Sequence, residues 1–491
     1  DLNAYTSFDE TVYFLPIPLD NPENLPKAMD IMEDWAFNAV LEPVEIDKER
    51  GVVLEELRIG LGAGERMRKE YFDELLYNSR YAERLPIGKK EVLENFEYQD
   101  LINFYEDWYR PDMMAFIAVG DIDVDKMEKD IKKRFSNYKN PKNAKERKEY
   151  DVPDHEETFV AVATDKEATS PQISVYYKNP EERLPINTVA LAKEEVKSQL
   201  FSTMLNNRID ELTNSSNPPF TFGYTYYGGL VNDKKMAFTS FAIPTNNNQL
   251  RALEVLLGEN ARVKKYGFTA GEFERAKQEI LKRLESQYKE REKTESNSYV
   301  GQLQSQFLSG DIYTGIEWDY KYVQETLPKI DLEDINTMID NYIREDSRVV
   351  VFTGPEYEDE SKKPTEEQIL EIVNNPFDDV TPYEETEMSS SLVRQQLTPG
   401  NITSVEQNEK LGTTTLGLSN GAKVTYKKTD FKEDEILFEA MSYGGTNLLD
   451  NETYEKVRWG MRGLSEAGFS GLDKNDISKF MSDKIANLNF S

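Results

Sequence analysis

Two polar stretches that contain proline, residues 139–154 and 355–401, divide this chain of 491 residues into three segments. Each segment alternates strand signals, which are short apolar or alternating runs, with helix signals, in which apolar residues recur every three or four positions. A chain of this length is too long for one hydrophobic core, because about 150 residues per domain is usual. The sequence therefore predicts an α+β protein of about three domains, each with strands and helices.

Particular residues indicate where individual helices and turns begin. Pro43 suits the start of a helix, and Thr269 with Glu272 forms a capping box at the start of another. Asn420-Gly421 is typical of a tight hairpin turn, because both residue types tolerate positive φ. The predicted strands are 2–6, 10–15, 113–119, 158–163, 172–177, 221–229, 236–243, 348–352, 413–418, 423–427 and 435–442. The predicted helices are 25–41, 44–77 with a break near the glycines at 60, 62 and 64, 101–109, 123–135, 189–213, 248–263, a long helix from 269, and 365–373.

Charge and composition exclude several functions. The formal net charge is −32, so the surface repels nucleic acid phosphates and anionic lipid headgroups, and no apolar run is long enough to span a membrane. The charge favours neutral or basic partners, and it is equally typical of a surface that only keeps a protein in solution. There is no cysteine and one histidine, His155, which excludes disulfides and any site within this chain that needs two histidine ligands. His155 lies in a polar boundary and is expected to face solvent.

The run from Glu49 to Glu56, ERGVVLEE, is the most informative local feature. Seven residues on a helix return to almost the same azimuth, so Glu49 and Glu56 are expected on one face, two turns apart. Val52 and Val53 lie between them, and an unpaired carboxylate in such a partly apolar stripe would be costly. A cation is therefore expected to meet Glu56. The spacing alone leaves two interpretations open, a salt-bridged or solvated helix and a metal ligand.

The order of motifs along the chain resembles the M16 (pitrilysin/insulinase-like) zinc peptidases. The run LNAYTSFDETVY at the start is similar to the strand after the family's active-site helix, and residues 49–58 resemble its ERGVVxEE-type helix. Further similar segments are Tyr81 with Pro86-Ile87-Gly88, FYxxWYRP at 104–111 with VGD at 119–121, GFT at 267–269 with ERAK at 274–277, and LSNG at 418–421 with YGG at 443–445. The resemblance implies tandem repeated M16-type (LuxS/MPP-like) domains, each a mixed, mostly antiparallel sheet packed with helices.

The resemblance also implies site residues. In the family, an HxxEH helix supplies two zinc histidines and a general-base glutamate, and a later glutamate is the third ligand, which matches Glu56. Glu49 matches the acidic residue that orients the site, and Asn3, Ala4 and Tyr5 match the edge strand that pairs with an extended substrate. HxxEH is absent from the chain, and its expected position lies before Asp1. The chain is thus expected to be an N-terminally truncated fragment that neither binds Zn²⁺ nor hydrolyses peptides by itself, since catalytic zinc needs about three protein ligands.

The resemblance implies a four-domain parent of the long type, a zinc metalloendopeptidase that cleaves peptides or unfolded short polypeptides in an enclosed chamber. The expected layout is a first domain at 1–150 that lacks its hairpin and HxxEH helix, a second at 151–380, a linker at 381–402, and the start of a third, catalytically silent domain at 403–491. Expected partners are peptide substrates, the missing N-terminal segment and the C-terminal half. The periplasm is the expected compartment, with the cytoplasm as the alternative.

Two other interpretations remain, a non-catalytic M16 homologue that acts as a scaffold or partner subunit, and a metal-free acidic module that binds basic peptides. The sequence before Asp1 would separate the enzyme from the scaffold. Arg208 with Tyr224 and Tyr226 is similar to an arginine–tyrosine pair that steadies the oxyanion in the family. That pair comes from the final domain of four-domain members, so a structural role is expected for these three residues.

Overall fold

The structure is a computed structural model that describes residues 3–60, 62–179, 184–231, 235–385, 391–393, 397–432, 435–457, 460, 468, 471–482 and 484. The chain forms two compact units, of which the first comprises Asp1–Gly267, Glu295–Tyr313 and Glu333–Pro382. The second comprises Phe268–Thr294, Thr314–Leu332 and Tyr383–Ser491. Both contain helices and strands, so the α+β class predicted from the sequence is confirmed.

Most predicted elements are present, with ends shifted by a few residues. The strands are β1 (Asn3–Thr6), β2 (Thr11–Phe14), β3 (Phe159–Asp165), β4 (Gln172–Lys178), β5 (Phe220–Gly229), β6 (Met236–Pro244), β7 (Arg348–Pro355), β8 (Ile402–Asn408), β9 (Thr413–Leu418) and β10 (Lys423–Tyr426). The helices are α1 (Asn24–Phe37), α2 (Pro43–Gly60), α3 (Ala63–Leu75), α4 (Arg80–Glu83), α5 (Lys90–Asn95), α6 (Tyr98–Trp108), α7 (Val124–Phe135), α8 (Val189–Thr213), α9 (Gln249–Tyr266), α10 (Ala270–Lys289), α11 (Ser296–Ser309), α12 (Ile316–Thr326), α13 (Leu332–Asn336), α14 (Met338–Tyr342), α15 (Glu366–Val373), α16 (Asn451–Val457) and α17 (Lys474–Met481).

A five-stranded sheet with the order β3-β7-β4-β6-β5 is the centre of the first unit. Strands β3 and β7 are parallel, and every other pair is antiparallel. Strand β7 lies inside the sheet, between β3 and β4, and is nearly all buried, which its run of valines and phenylalanine favours. Helix α8 packs on β5 and α9 on β6, and both bury long apolar faces.

Local signals explain several of the confirmed elements. The Thr269 hydroxyl accepts from the backbone N–H of Glu272, whose carboxylate accepts from the N–H of Thr269, so the predicted capping box begins α10 in the second unit. The same unit contains a three-stranded sheet with the order β10-β9-β8. Its β9–β10 turn contains Gly421 with a φ of 88°, as the Asn-Gly pair predicts. The predicted break after α2 is also present, because α2 ends at Gly60 and α3 begins at Ala63.

Two predicted strands are wrong. Residues 114–119 and 435–442 form no ladder with any residue that the structure describes. A strand is stabilised by backbone bonds to a neighbour, and an apolar run alone cannot supply that neighbour. In 435–442 the side chains of Ile436, Phe438 and Met441 are more than four-fifths exposed.

The first 150 residues pack on the sheet of the first unit through one apolar cluster. Its buried members are Leu75, Leu76, Tyr81, Val152, Ala161, Val349 and Val351. His155 lies beside this cluster, half-buried and stacked on Phe159 with ring centroids 3.9 Å apart, so the expectation that it faces solvent is wrong. Its Nδ1 lies 2.5 Å from the carbonyl oxygen of Glu157, and its buried Nε2 has no hydrogen-bond partner among the described residues.

Lys178, at the end of β4, is fully buried near His155. Its Nζ donates to the carbonyls of Leu75 and Pro153, each at 3.4 Å. Burial, and secondarily the charge of Lys235, lowers the pKa of Lys178 to about 8. Burial, and secondarily Lys178, lowers the pKa of His155 below its usual 6.5, against the opposing charges of Asp154 and Asp346. Both groups therefore hold a proton less readily in the folded chain than in the unfolded chain.

These two pKa shifts predict how stability depends on pH. Between pH 8 and 10.5 the unfolded chain binds more protons at Lys178, so the free energy of unfolding should rise with pH across that window. Below pH 6.5 the unfolded chain binds the proton of His155 first, so stability should fall as the pH falls. Lys178→Met should remove the alkaline rise and stabilise the chain at neutral pH by about 1–3 kcal/mol.

Urea unfolding across a pH series measures these effects. The matched control is Lys264→Met, because Lys264 is exposed on α9. The control should keep the wild-type pH profile. A Lys178→Met protein that keeps the alkaline rise would mean that another group causes it.

Candidate active site

Helix α2 carries Glu49 and Glu56, and both side chains are exposed. Three other acidic residues of this helix have partners. Glu45 pairs with Lys48 at 2.6 Å, Asp47 accepts from the Tyr98 hydroxyl at 2.7 Å, and Glu55 pairs with Arg58 at 2.5 Å. Glu49 and Glu56 have no ion pair or hydrogen bond with any described residue. Their carboxylates are thus available for a ligand that the described residues do not supply.

The expected cation beside Glu56 is not found among the described residues, and the Glu56 side chain is exposed. The side of α2 that faces the protein contains Ile46 and Leu57, whereas Val52 is 56% and Ile59 67% exposed. The face shared by Glu49 and Glu56 is therefore solvent-accessible and partly apolar. No cation among the described residues meets the Glu56 carboxylate, so the expected charge partner is not present there. The exposure of valine and isoleucine beside two unpaired carboxylates is typical of a face that another segment covers.

Arg50 fixes how α2 presents this face. Its guanidinium lies over the ring of Phe96, 3.9 Å from the centroid, and donates to the carbonyls of Leu93 and Phe96 at 2.5 and 3.0 Å. These contacts attach α2 to α5 and the residue after it. Because Arg50 is adjacent to Glu49 in sequence, its anchoring limits rotation of the helix about its own axis.

Strand β1 contains Asn3, Ala4 and Tyr5, and all three are exposed. The strand pairs with β2 along one edge, with Ala4 opposite Tyr13. Its other edge has no ladder partner among the described residues. Free backbone N–H and C=O groups on an exposed edge can accept an added strand. The sequence-predicted substrate residues are therefore on a strand with the required open edge.

Three tyrosine contacts hold the β1–β2 hairpin, and the sequence did not predict their roles. The Tyr81 hydroxyl donates to Asp9 at 2.8 Å, and the Tyr13 and Tyr109 hydroxyls are 2.6 Å apart. Gln304 Nε2 donates to the Tyr5 hydroxyl at 2.7 Å. Tyr81 and Tyr109 lie in motifs that the sequence singled out, so a signal for them existed. Gln304 has no such signal, because its partner is 299 residues away.

The described residues do not complete a metal site. They contain no group of three or more histidine, cysteine or acidic side chains arranged to hold a metal ion. Glu56 fits a zinc ligand in its chemistry, since it is an accessible carboxylate with no competing partner in the described chain, but it is one ligand of the three usually required. The other ligands would have to come from residues outside this set. Within the same described residues, no helix is long and apolar enough to cross a membrane.

Comparison with known protein families shows which family the chain belongs to. Residues 1–75 match the model of insulinase (peptidase family M16), and residues 95–280 match that of the peptidase M16 inactive domain. The two M16 models together match more than half of the 491 residues. The chain belongs to the M16 peptidase family. The resemblance inferred from the sequence motifs is thereby confirmed.

Several M16 proteins are similar over nearly all of the chain. A zinc protease PQQL-like protein of Arabidopsis thaliana is 29% identical over 98% of this chain and 47% of its own length. The probable zinc protease PqqL of Haemophilus influenzae is 25% identical over 98% of this chain and 52% of its own. The crystal structure of the periplasmic protease PqqL from Escherichia coli has a TM-score of 0.73 at 22% identity, covering 98% of this chain and 53% of that one. That likeness supports the M16 fold, and the chain spans about half the length of these relatives.

Proposed function

We propose that the intact M16 protein to which this chain belongs is a zinc-dependent endopeptidase that cleaves peptides or unfolded short polypeptides in an enclosed chamber. The observation that carries the proposal is the pair of exposed carboxylates on one face of α2, Glu49 and Glu56, neither of which has a partner among the described residues. The reaction class is supported by relatives that are named as zinc proteases, of which this chain matches about half the length.

Each residue has a distinct part in this proposal. Glu56 would be a zinc ligand, and Glu49, two turns earlier on the same face, would orient the ligands by hydrogen bonding. Bound zinc would supply Lewis-acid polarisation of the scissile carbonyl and a water of lowered pKa. The free edge of β1, from Asn3 to Tyr5, would align the substrate backbone as an added strand. Arg50 would keep the carboxylate face of α2 in place while the substrate binds.

The proposed second domain, residues 151–380, is the basis for proposing which elements complete the first. In this second domain, β7 lies between β3 and β4, and α8 connects β4 to β5 and packs on β5. In our proposal the hairpin β1–β2 corresponds to β5–β6, and the apolar run at 113–119 corresponds to β7. Residues 114–119 have no ladder partner among the described residues, although most are half-buried. Two further strands, equivalent to β3 and β4, would give the backbone of residues 114–119 its ladder partners. A further helix, equivalent to α8, would pack on β1.

We also propose the domain layout that the motifs imply. The first M16 domain is at 1–150, the second at 151–380, the linker at 381–402 and the beginning of a third, silent domain at 403–491. The intact protein would then contain four such domains, in line with relatives about twice as long. The periplasm is the proposed compartment, supported by similarity to a protease described as periplasmic.

A peptidase assay that compares the 491-residue chain with the intact protein tests the proposed function. The 491-residue chain should show no turnover of a fluorogenic peptide that a zinc chelator removes and zinc restores, because Glu56 alone cannot retain catalytic zinc. The intact protein, with its natural upstream region and its C-terminal half, should show such turnover. Chelator-sensitive turnover by the chain alone would contradict the assigned ligand set. An intact protein that carries HxxEH but shows no zinc-dependent turnover would favour the non-catalytic scaffold.

A further inference from the structure

The β1–β2 hairpin has little means of holding its own position. All four residues of β1 are exposed, and the two strands form a sheet of their own among the described residues. An isolated two-stranded hairpin is at best marginally stable in water. The position of β1 therefore depends on contacts from other elements.

Tyr81 holds the turn of the hairpin. It is 4% exposed within the apolar cluster, and its ring meets that of Phe8 edge-on with centroids 5.3 Å apart. Its hydroxyl donates to the Asp9 carboxylate at 2.8 Å. Ser79 caps α4 and donates to the carbonyl of Asp151 at 2.8 Å, which fixes the helix that carries Tyr81. The turn after β1 is thus tied to a buried, hydrogen-bonded anchor.

Gln304 holds the strand itself. Its Nε2 donates to the Tyr5 hydroxyl at 2.7 Å, in the middle of β1. Gln304 lies on α11, a helix that has no fully buried residue. The phenol oxygen of Tyr5 accepts this bond, and burial, and secondarily the charge of Glu10, raise the pKa of Tyr5. Helix α11 therefore reaches β1 by a specific polar contact rather than by apolar packing.

We propose that Tyr81 and Gln304 are positioning residues of the peptide-binding strand. Tyr81 fixes the turn and Gln304 fixes the Tyr5 side chain, so the backbone groups along the open edge of β1 stay in one place and a peptide adds in one register. The Ala4 N–H on this strand donates to the Asn3 side-chain oxygen at 2.9 Å, and an added peptide strand would take the place of that oxygen. Neither residue touches the peptide in this role, because each acts through a residue of the hairpin. The inference rests on the proposed use of β1 as the substrate strand.

Peptide binding to the full chain tests the inference. The probe is fluorescein-labelled lysozyme that has been reduced and carboxamidomethylated, because it is unfolded and basic and suits an acidic protein. Gln304→Ala and Tyr81→Phe should each raise its Kd about three- to tenfold, since each removes one hydrogen bond that orders the strand. Tyr5→Phe should add nothing to Gln304→Ala, because both changes remove the same bond. Hydrogen exchange at Asn3–Thr6 should become faster in both positioning variants.

Matched controls separate positioning from folding. Gln302→Ala lies on the same exposed helix, and Tyr138→Phe also removes a tyrosine–carboxylate hydrogen bond, to Glu33, away from the hairpin. Both controls should bind the probe within about twofold of wild type. A change confined to the melting temperature, with unchanged Kd, would assign Tyr81 and Gln304 a purely structural role.

Ala4→Pro distinguishes failure of the inference from failure of the proposed function. Proline removes the Ala4 N–H, which donates to the Asn3 side chain in this structure and to the peptide when one is bound, and should abolish binding if the strand receives the peptide. If Ala4→Pro abolishes binding but the positioning variants bind like wild type, the inference is overturned and the use of β1 stands. If the wild type fails to bind, or if Ala4→Pro binds normally, the use of β1 is overturned together with the inference.

Discussion

Glu56→Gln in the intact, zinc-loaded protein should lower zinc occupancy and reduce kcat/KM by roughly 100-fold or more. The amide is nearly the same size as the carboxylate, and Glu56 is exposed without a described partner, so the fold should not change. The neutral amide oxygen is a much weaker ligand for a divalent cation than a carboxylate. Zinc content after gel filtration and steady-state kinetics with a fluorogenic peptide measure the two effects.

Two other positions on α2 provide the comparison. Glu55→Gln changes the adjacent residue, whose carboxylate pairs with Arg58 across one helical turn, and should leave zinc content and rate unchanged. Glu49→Gln should reduce the rate by about 10- to 100-fold with a smaller loss of zinc, because it would orient ligands rather than bind the metal. Unchanged zinc and rate in Glu56→Gln would show that the third ligand has been assigned to the wrong residue.

The sequence predicted best those structural features that depend on a few neighbouring residues. The capping box at Thr269, the hairpin at Asn420-Gly421 and the helix break after Gly60 each depend on a few adjacent residues, and all three are present. The helical spacing of Glu49 and Glu56 also follows from sequence alone, because it needs only the geometry of one helix.

Features that depend on distant partners were not predictable in the same way. The runs at 114–119 and 435–442 have strand composition, but whether they form strands depends on neighbours elsewhere in the chain. The exposure of Glu56 depends on which side of α2 packs inward, and periodicity left that open because Val52 and Val53 lie on different faces. The contact between Gln304 and Tyr5 joins residues far apart in sequence, and nothing local marks it.

Arg208 shows how burial decides between a catalytic and a structural arginine. The side chain is 2% exposed on α8, and its guanidinium donates to Glu259 on α9 at 3.1 Å and to the carbonyl of Gly267 at 3.1 Å. Arg262 donates to the other oxygen of Glu259 at 2.6 Å. On β5, Thr225 faces α8, so by strand alternation Tyr224 and Tyr226 project from the opposite side of the sheet. The expected structural role of Arg208 therefore fits the geometry, and Arg208 forms no pair with Tyr224 or Tyr226 across the sheet.

The same network gives a large effect on stability. Glu259→Leu should destabilise the first unit by about 3–5 kcal/mol, because it removes the carboxylate that pairs with the buried guanidinium of Arg208 at 3.1 Å. Hydrogen exchange of α8 and α9 amides in increasing urea measures the unfolding free energy of this unit separately from the second. Glu254→Leu is the matched control, since Glu254 is exposed on the same helix, and should change stability by less than about 0.5 kcal/mol.

The double variant Arg208→Met with Glu259→Leu tests whether the loss of stability in Glu259→Leu comes from breaking the charge pair. An apolar pair of similar volume needs no neutralisation, so the double variant should recover most of the stability that Glu259→Leu loses, despite the missing bond to Gly267. A double variant as unstable as the single one would attribute the loss to packing rather than to charge. If the stable double variant, placed in the intact enzyme, lost kcat without losing zinc, Arg208 would have a catalytic role after all. Normal kcat in that variant would assign Arg208 a structural role in the first unit.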